Sequence, residues 1–463
     1  MSGVSNPIPL GGGGGGSPTG AAGGDLFGTY PNPQVSGLQG VEVAPTAPSS
    51  SEVLTFDGTR WAPAAGGGGI GVNVGAGQTY ATITAALAAG AGNVLNVLGD
   101  TTEPGDITVP TSGLMLRFFG PHNVDMGAYC FNFVTGSPST VKIDGTQDAK
   151  ITYAHAQARP LFGSADGSTH KLVVNNFTFD NNSTVDSTAV INGATSGLAL
   201  FAENIRIELP DKGYSGLRLR DRAIINGITI VGGGTSCYEG ILAESSTEMI
   251  DISSVEVRGT FFPMPASVAA VHFVADNVNV RGILCSVDTA TVGIIAGPAS
   301  VSDVHVEGAT LYFYSDSGSR VVNMTSANYI AEAGRDRGFL ANAEISLLDI
   351  RASTEDFRFT NVFLNQSTPT IIDGLKHRFS NCLFGPDIYI DGDNMSITNS
   401  TFGGVGLGDK ALVIRGNNNM VSTSNIGFLG FEAGSSGNLV MGCRYDSVSD
   451  SGVDNTRTSS IEY

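Results

Sequence analysis

The sequence predicts an all-β protein whose main part is a parallel β-helix, and three observations predict it. From about residue 170 a unit recurs in which a polar corner with Asn or Asp precedes alternating apolar residues. Its copies begin at Asn175, Glu203, Asn226, Ser253, Asp276 and Ser302, so successive spacings are 28, 23, 27, 23 and 26 residues. A period of twenty-odd residues leaves room for three short strands per coil, with period-2 alternation burying one face. The pattern returns at Asn394, Asn418 and Asn438. Leucine-rich repeats are the rival, but the L-x-x-L-x-L spacing is absent, and a β-sandwich does not repeat one unit so often. Residues 72–450 would hold about 14 coils.

Each element follows in chain order. Residues 1–24 are dominated by the run Gly11–Gly16. They read as an extended anchor that becomes ordered only within an assembly. Residues 25–65 form a second unit. Val53 to Phe56 alternates, Asp57-Gly58 signals a two-residue turn, and Thr59 to Trp61 returns. So small a hairpin cannot stand alone in water. Residues 66–78 make a Gly-rich joint. Gln78–Gly90 reads as one short helix capped by Thr79, with Ile83, Ala86 and Leu87 as its apolar stripe. Strands follow at Val94–Leu98, Ile107–Val109 and Leu114–Phe119. The shaft runs from 79 to 450, with Phe177, Phe179, Ile205, Ile207, Ile228, Ile230, Val255, Val257, Val278, Val280, Val304 and Val306 facing inward. Two stretches look longer than a coil needs, Leu311–Glu344 and Arg258–Val271. Residues 451–463 are a short tail.

Composition narrows the function. The 463 residues include 63 Gly, 19 Pro and one Trp, and 24 Lys and Arg stand against 43 Asp and Glu, a formal charge of −19. Such a surface cannot neutralise phosphates, which argues against a nucleic-acid partner. Gly404-x-Gly406 is followed by Asp409 and Lys410 rather than the glycines a phosphate cradle requires. No apolar run is long enough to span a bilayer and the N-terminus lacks a secretory pattern, so synthesis in cytoplasm without membrane insertion is expected. Five cysteines without a C-x-x-C pair read as buried free thiols, and six scattered histidines imply no metal or other cofactor.

Gly24-Asp25-Leu26-Phe27-Gly28-Thr29-Tyr30-Pro31-Asn32-Pro33, with Leu38-Gln39-Gly40 and Leu54–Trp61, resembles a module near the N-termini of bacteriophage tail-fibre and related virion proteins. Phe27 departs from the small residue usual there. The helix–strand–turn–strand order after residue 78 resembles the capped start of right-handed parallel β-helices of the pectate-lyase and tailspike type. The resemblance implies a homotrimeric virion protein, made in the host cytoplasm. Its N-terminus would dock to tail, adaptor, portal or capsid proteins through Asp25, Tyr30, Pro31, Pro33 and Trp61. Its shaft would contact host surface polysaccharide. Two alternatives stand beside it: a capsule or O-antigen depolymerase, either glycoside hydrolase or lyase, and a purely structural capsid or collar fibre.

Sugar cleavage needs two carboxylates close together. The candidates are Glu239 with Glu244, Asp349 with Glu355 or Asp356, and Asp391 with Asp393. Asp391-Gly-Asp393-Asn394 reads as a corner. Against an enzyme, surface carboxylates are the default and aromatic platforms are sparse. For sugar binding the candidates are Tyr312, Tyr314 and Tyr329 with Glu332, Arg335, Asp336 and Arg337, which combine apolar faces with hydroxyl-binding groups.

Overall fold

The structure is a computed structural model. It describes residues 19–47, 52–56, 58–65, 71–146, 148–155, 159–163, 170–183, 189–192, 197–209, 212–233, 236–244, 248–261, 270–274, 278–287, 292–296, 299–307, 312–315, 318–331, 336–366, 368–404, 408–409, 411–458 and 460–462. The glycine run Gly11–Gly16 lies outside these. Two units separate, Met1–Val72 and Asn73–Tyr463.

The first unit is a set of short antiparallel pairs, pinned by Asp25. Its carboxylate accepts from the backbone N–H of Gln39 (2.7 Å) and Gly40 (2.8 Å), and its carbonyl accepts from those of Ser36 and Gly37. Glu52–Phe56 pairs with Trp61–Ala65, and Phe56 stands opposite Trp61 with ring centroids 5.6 Å apart. The connection is therefore four residues, not the two expected. The return begins at Trp61 because the Phe56–Trp61 contact fixes the register.

In the second unit the helix α1 spans Ile83–Ala88 and its cap is Thr82, whose hydroxyl accepts from Ala85 N–H (3.0 Å), not Thr79. Tyr80 is held in a parallel bridge to Val74, which keeps the preceding turn out of the helix. Glu103, 2% exposed, closes the helix N-terminus from the next coil. Its carboxylate accepts from Ile83 N–H (2.8 Å), Thr84 N–H (3.0 Å) and the Thr84 hydroxyl (2.7 Å). Strands at Val94–Val97, Ile107–Val109 and Leu114–Phe118 fall on the predicted stretches.

From there the chain is almost wholly β and pairs parallel with itself one coil on. One inward column can be followed by register through Leu95, Leu116, Ile143, Val174, Ala202, Ile225, Ile252, Val280, Val301, Val321, Leu340, Phe359, Phe379, Ile397, Val421 and Val440 to Arg457. Every member is buried until exposed Arg457 ends the column. All twelve residues expected to face inward are buried. Phenylalanines stack along the core, Phe359 on Phe379 at 4.7 Å and Phe384 on Phe402 at 4.8 Å.

The coils shorten toward the C-terminus. Leu311–Glu344 is therefore no insertion: Val321 pairs with Leu340, and Leu340 with Phe359, as ordinary neighbouring rungs. Of Arg258–Val271, residues 262–269 lie outside the described ones.

The Asn and Asp corners are left-handed, as expected. Asn176, Asn204, Ser254, Asp303, Asn323, Asn342, Asn361, Asn381 and Asn399 all have φ between +49° and +56°. In-register stacking puts each amide over the last, so Nδ2 donates to the preceding side-chain oxygen: Asn204 to Asn176 (3.2 Å), Asn323 to Asp303 (2.8 Å), Asn342 to Asn323 (3.1 Å), Asn361 to Asn342 (2.9 Å) and Asn399 to Asn381 (2.6 Å). The copy read at Asp276 opens on residues outside the described ones. Val255 pairs with Ile283, so the corner falls on Gly282. Asn394 and Asn418 belong to a second left-handed corner that also holds Arg337, Asp356 and Lys376.

Candidate functional site

The strands Lys212–Leu219, Ser236–Ala243 and Val271–Phe273 lie side by side, with Arg218, Leu242 and His272 in one register row. Alternation sends this row outward, since Leu217, Ile241 and Val271 beside it are buried. Two residues on, Arg220, Glu244 and Val274 form the next outward row. The result is a cleft of about 430 Å³ lined by Arg220, Glu239, Leu242, Glu244, His272 and Val274.

Glu239 and Glu244, paired on sequence grounds, thus share one cleft. Glu239 is 5% exposed, and one of its oxygens lies 3.5 Å from His272 Nδ1. Glu244 accepts from Arg218 Nη2 (2.5 Å) on one oxygen and from Arg220 Nε on the other. Burial works against its charge, but the two guanidinium groups outweigh burial and hold its carboxyl below the usual range. Glu244 therefore stays ionised at neutral pH and suits a base, a nucleophile or a counter-ion, not a proton donor. No local sequence signal marks His272 and the two arginines, because only register between neighbouring strands places them beside the acids.

The other acids sit elsewhere. Asp349 is paired with Arg351 (3.2 Å), and Glu355 with Lys376. Asp356 lies between Arg358 (3.2 Å) and Arg378 (3.7 Å). Glu355 bridges Asp336 and Leu375, and Leu375 bridges Asp393, so this row flanks the second left-handed corner. Asp391 pairs with Arg415, and Asp393 accepts from Asn417 N–H, which makes Asp391–Asn394 a corner as expected.

Among the aromatic candidates, Tyr329 must be corrected. It is fully buried, edge-on to Phe359 at 6.1 Å, and a ring inside the core cannot offer a face to a sugar. Tyr312 and Tyr314 lie on the strand Tyr312–Ser315, and their side chains are outside the described residues, as are Glu332 and Arg335. Asp336 and Arg337 are at the second corner. In the first unit, Asp25 and Trp61 hold the fold as described, and Tyr30–Pro31 is a cis peptide.

A second concavity, of about 790 Å³, follows the Asn corner. Asn176, Asn204, Gly227, Ser254 and Gly282 run along it across successive rungs, flanked by the outward row Thr178, Arg206, Thr229 and Glu256. Gly227 breaks the amide ladder because it has no side chain to carry it on, and Asn204 Oδ1 fills the space a Cβ there would take (2.7 Å). The groove is open, polar and elongated along the stack, which fits a linear polar ligand better than a compact apolar one.

Among the described residues no group of His, Cys, Asp and Glu is placed to hold a metal, and no helix is long and apolar enough to cross a membrane. Cys130, Cys285, Cys382 and Cys443 are buried free thiols, and burial pushes Cys285 up to about 12, which disqualifies it as a nucleophile at neutral pH.

No protein-family model and no curated protein matches the chain. Among solved structures it is similar to ORF18 of Geobacillus virus E2, at 12% identity and a TM-score of 0.21. The match covers 75% of this chain and 54% of that one, so the chain spans about half the length of that phage protein.

Proposed function

We propose that this is a bacteriophage virion attachment protein of the tail-fibre or tailspike kind, whose second unit is a trimeric right-handed parallel β-helix contacting host surface polysaccharide. Its N-terminal unit docks to the particle. The observation that carries the reading is the continuous register column from Leu95 to Arg457, on a chain whose separate first unit bears the Asp25–Pro33 and Leu54–Trp61 module. At the usual inter-strand spacing those rungs make a stack about 75–80 Å long. A stack hydrogen-bonded from rung to rung resists bending and presents side chains along its whole length. Light scattering on the size-exclusion peak tests the assembly: three copies are expected, and a stable monomer argues against the reading. Retention of the purified chain on host cells, and its loss after polysaccharide is stripped from them, tests the contact.

A second reading, polysaccharide cleavage, is favoured by the meeting of Glu239, Glu244 and His272 in one cleft. It predicts oligosaccharide release from purified host polysaccharide, abolished by Glu244→Gln. No release across a glycan panel leaves attachment alone. A purely structural fibre would bind no host glycan at all.

A further inference from the structure

Along one outward row of the C-terminal half, Arg320, Phe339, Arg358 and Arg378 occupy four consecutive rungs in register. The row faces solvent because its neighbours Val321, Leu340, Phe359 and Phe379 are the buried column. Arg358 and Arg378 are 52% and 58% exposed, and the Arg320 guanidinium lies over the Phe339 ring at 5.0 Å. Like charges one rung apart repel. Asp356 touches both Arg358 and Arg378, so two guanidinium groups share that carboxylate. The fold does not require arginine in this row: the same register position is Ser300 on the preceding rung and Ser396 on the following one. A local concentration of cations on a chain of formal charge −19 calls for a ligand that uses it.

We propose that this Arg–Phe–Arg–Arg stripe binds a linear carboxylated polysaccharide lying along the stack. The inference rests on the attachment reading and goes further by fixing the charge of the glycan. Rungs are about 4.8 Å apart, close to the length of one pyranose unit, so carboxylates on successive sugars meet Arg358 and Arg378 in turn. Each guanidinium presents the fork that suits a carboxylate. Phe339, half-buried beneath Arg320 and one rung before Arg358, offers an apolar edge to the sugar next to the one that Arg358 holds. At physiological salt the Debye length is about 8 Å, so the stripe acts at contact while the distant acidic surface is largely screened.

The test is affinity electrophoresis and calorimetry of the full chain at about 0.15 M salt, with three probes: polygalacturonate, its methyl ester and polyphosphate. Polygalacturonate should retard the protein and the neutral ester should not. The double variant Arg358→Gln/Arg378→Gln should bind at least about tenfold more weakly, the value of one charge-assisted hydrogen bond, with its β circular-dichroism spectrum retained. Ser396→Arg, which lengthens the stripe by a rung, should strengthen binding, and this gain keeps the test informative should the double variant misfold. Binding unchanged by both sets of variants overturns the proposal, as does equal binding of ester and acid. Polyphosphate bound as well as polygalacturonate also overturns it, since the rung match would then be irrelevant. Retention on host cells or on a neutral glycan that the arginine variants leave intact sinks the stripe while sparing the attachment reading.

Discussion

Asn342 is the position where the corner ladder can be tested most sharply. Its φ is +51°, its Nδ2 donates to Asn323 (3.1 Å), and its Oδ1 accepts from Asn361 (2.9 Å). Alanine removes both amide bonds, each worth about 0.5–1.5 kcal/mol net. It also gives up the local hydrogen bonding that lets Asn tolerate a left-handed backbone, about 1 kcal/mol more. Asn342→Ala should therefore cost about 2–4 kcal/mol. Asn342→Gly loses the same bonds but adopts positive φ freely, so it should cost about 1 kcal/mol less. Denaturant unfolding followed by circular dichroism reads both variants. Because rungs stabilise their neighbours, amide exchange should quicken first around Asn323 and Asn361. An alanine variant as stable as the parent, or a glycine variant no better than alanine, would refute a ladder built on left-handed corners.

Three further outcomes follow from buried polar groups. Burial drives the His377 imidazole down to about 4, against the pull of Asp356, Asp373 and Glu355, and its ring nitrogens meet Phe357 N–H (3.1 Å) and the Thr354 hydroxyl (2.9 Å). The fold thus keeps His377 neutral while the unfolded chain protonates near 6.5, so its contribution is whole above about pH 6.5 and is lost as pH falls through about 4, up to about 3 kcal/mol. The drop in urea midpoint between pH 7 and 4 should be smaller in His377→Gln than in the parent, and an identical drop contradicts this. Glu103→Gln swaps one acceptor oxygen for a donor facing the Ile83 and Thr84 N–H groups, costing about 1–3 kcal/mol; faster exchange in α1 is expected, and unchanged protection would be inconsistent with the cap. Burial pushes the Cys285 and Cys382 thiols up to about 12 and about 11, so at pH 8 neither should react with maleimide until the chain unfolds, and labelling in the folded state contradicts their placement.

Much of the stack was legible because its signals are local. Asn176, Asn204, Ser254 and Asp303 sit before alternating apolar pairs, and the residues after them all point inward. Register was not legible, because any short polar–apolar run imitates a corner. Asp276-Asn-Val-Asn-Val carries the same pattern as its neighbours, yet its Val278 and Val280 pair with Ile250 and Ile252, ahead of the corner on that rung, Gly282, which has no side chain to announce itself. The same limit hid Tyr329, whose inward position follows from its row beside Leu348 and not from its type. Thr79 and Thr82 are chemically equal as caps, and only the Val74–Tyr80 bridge decides between them. At the candidate site, the acids Glu239 and Glu244 stand five positions apart and were visible as a pair. His272 and Arg220 are brought to them by neighbouring coils, and no local spacing encodes that.

A cryo-EM reconstruction of the purified full chain would test the trimeric stack most directly. Three copies are expected about one axis, each with parallel rungs about 4.8 Å apart and with side-chain density for Asn323, Asn342 and Asn361 stacked in one column. A single copy, or strands paired antiparallel across that column, would contradict it.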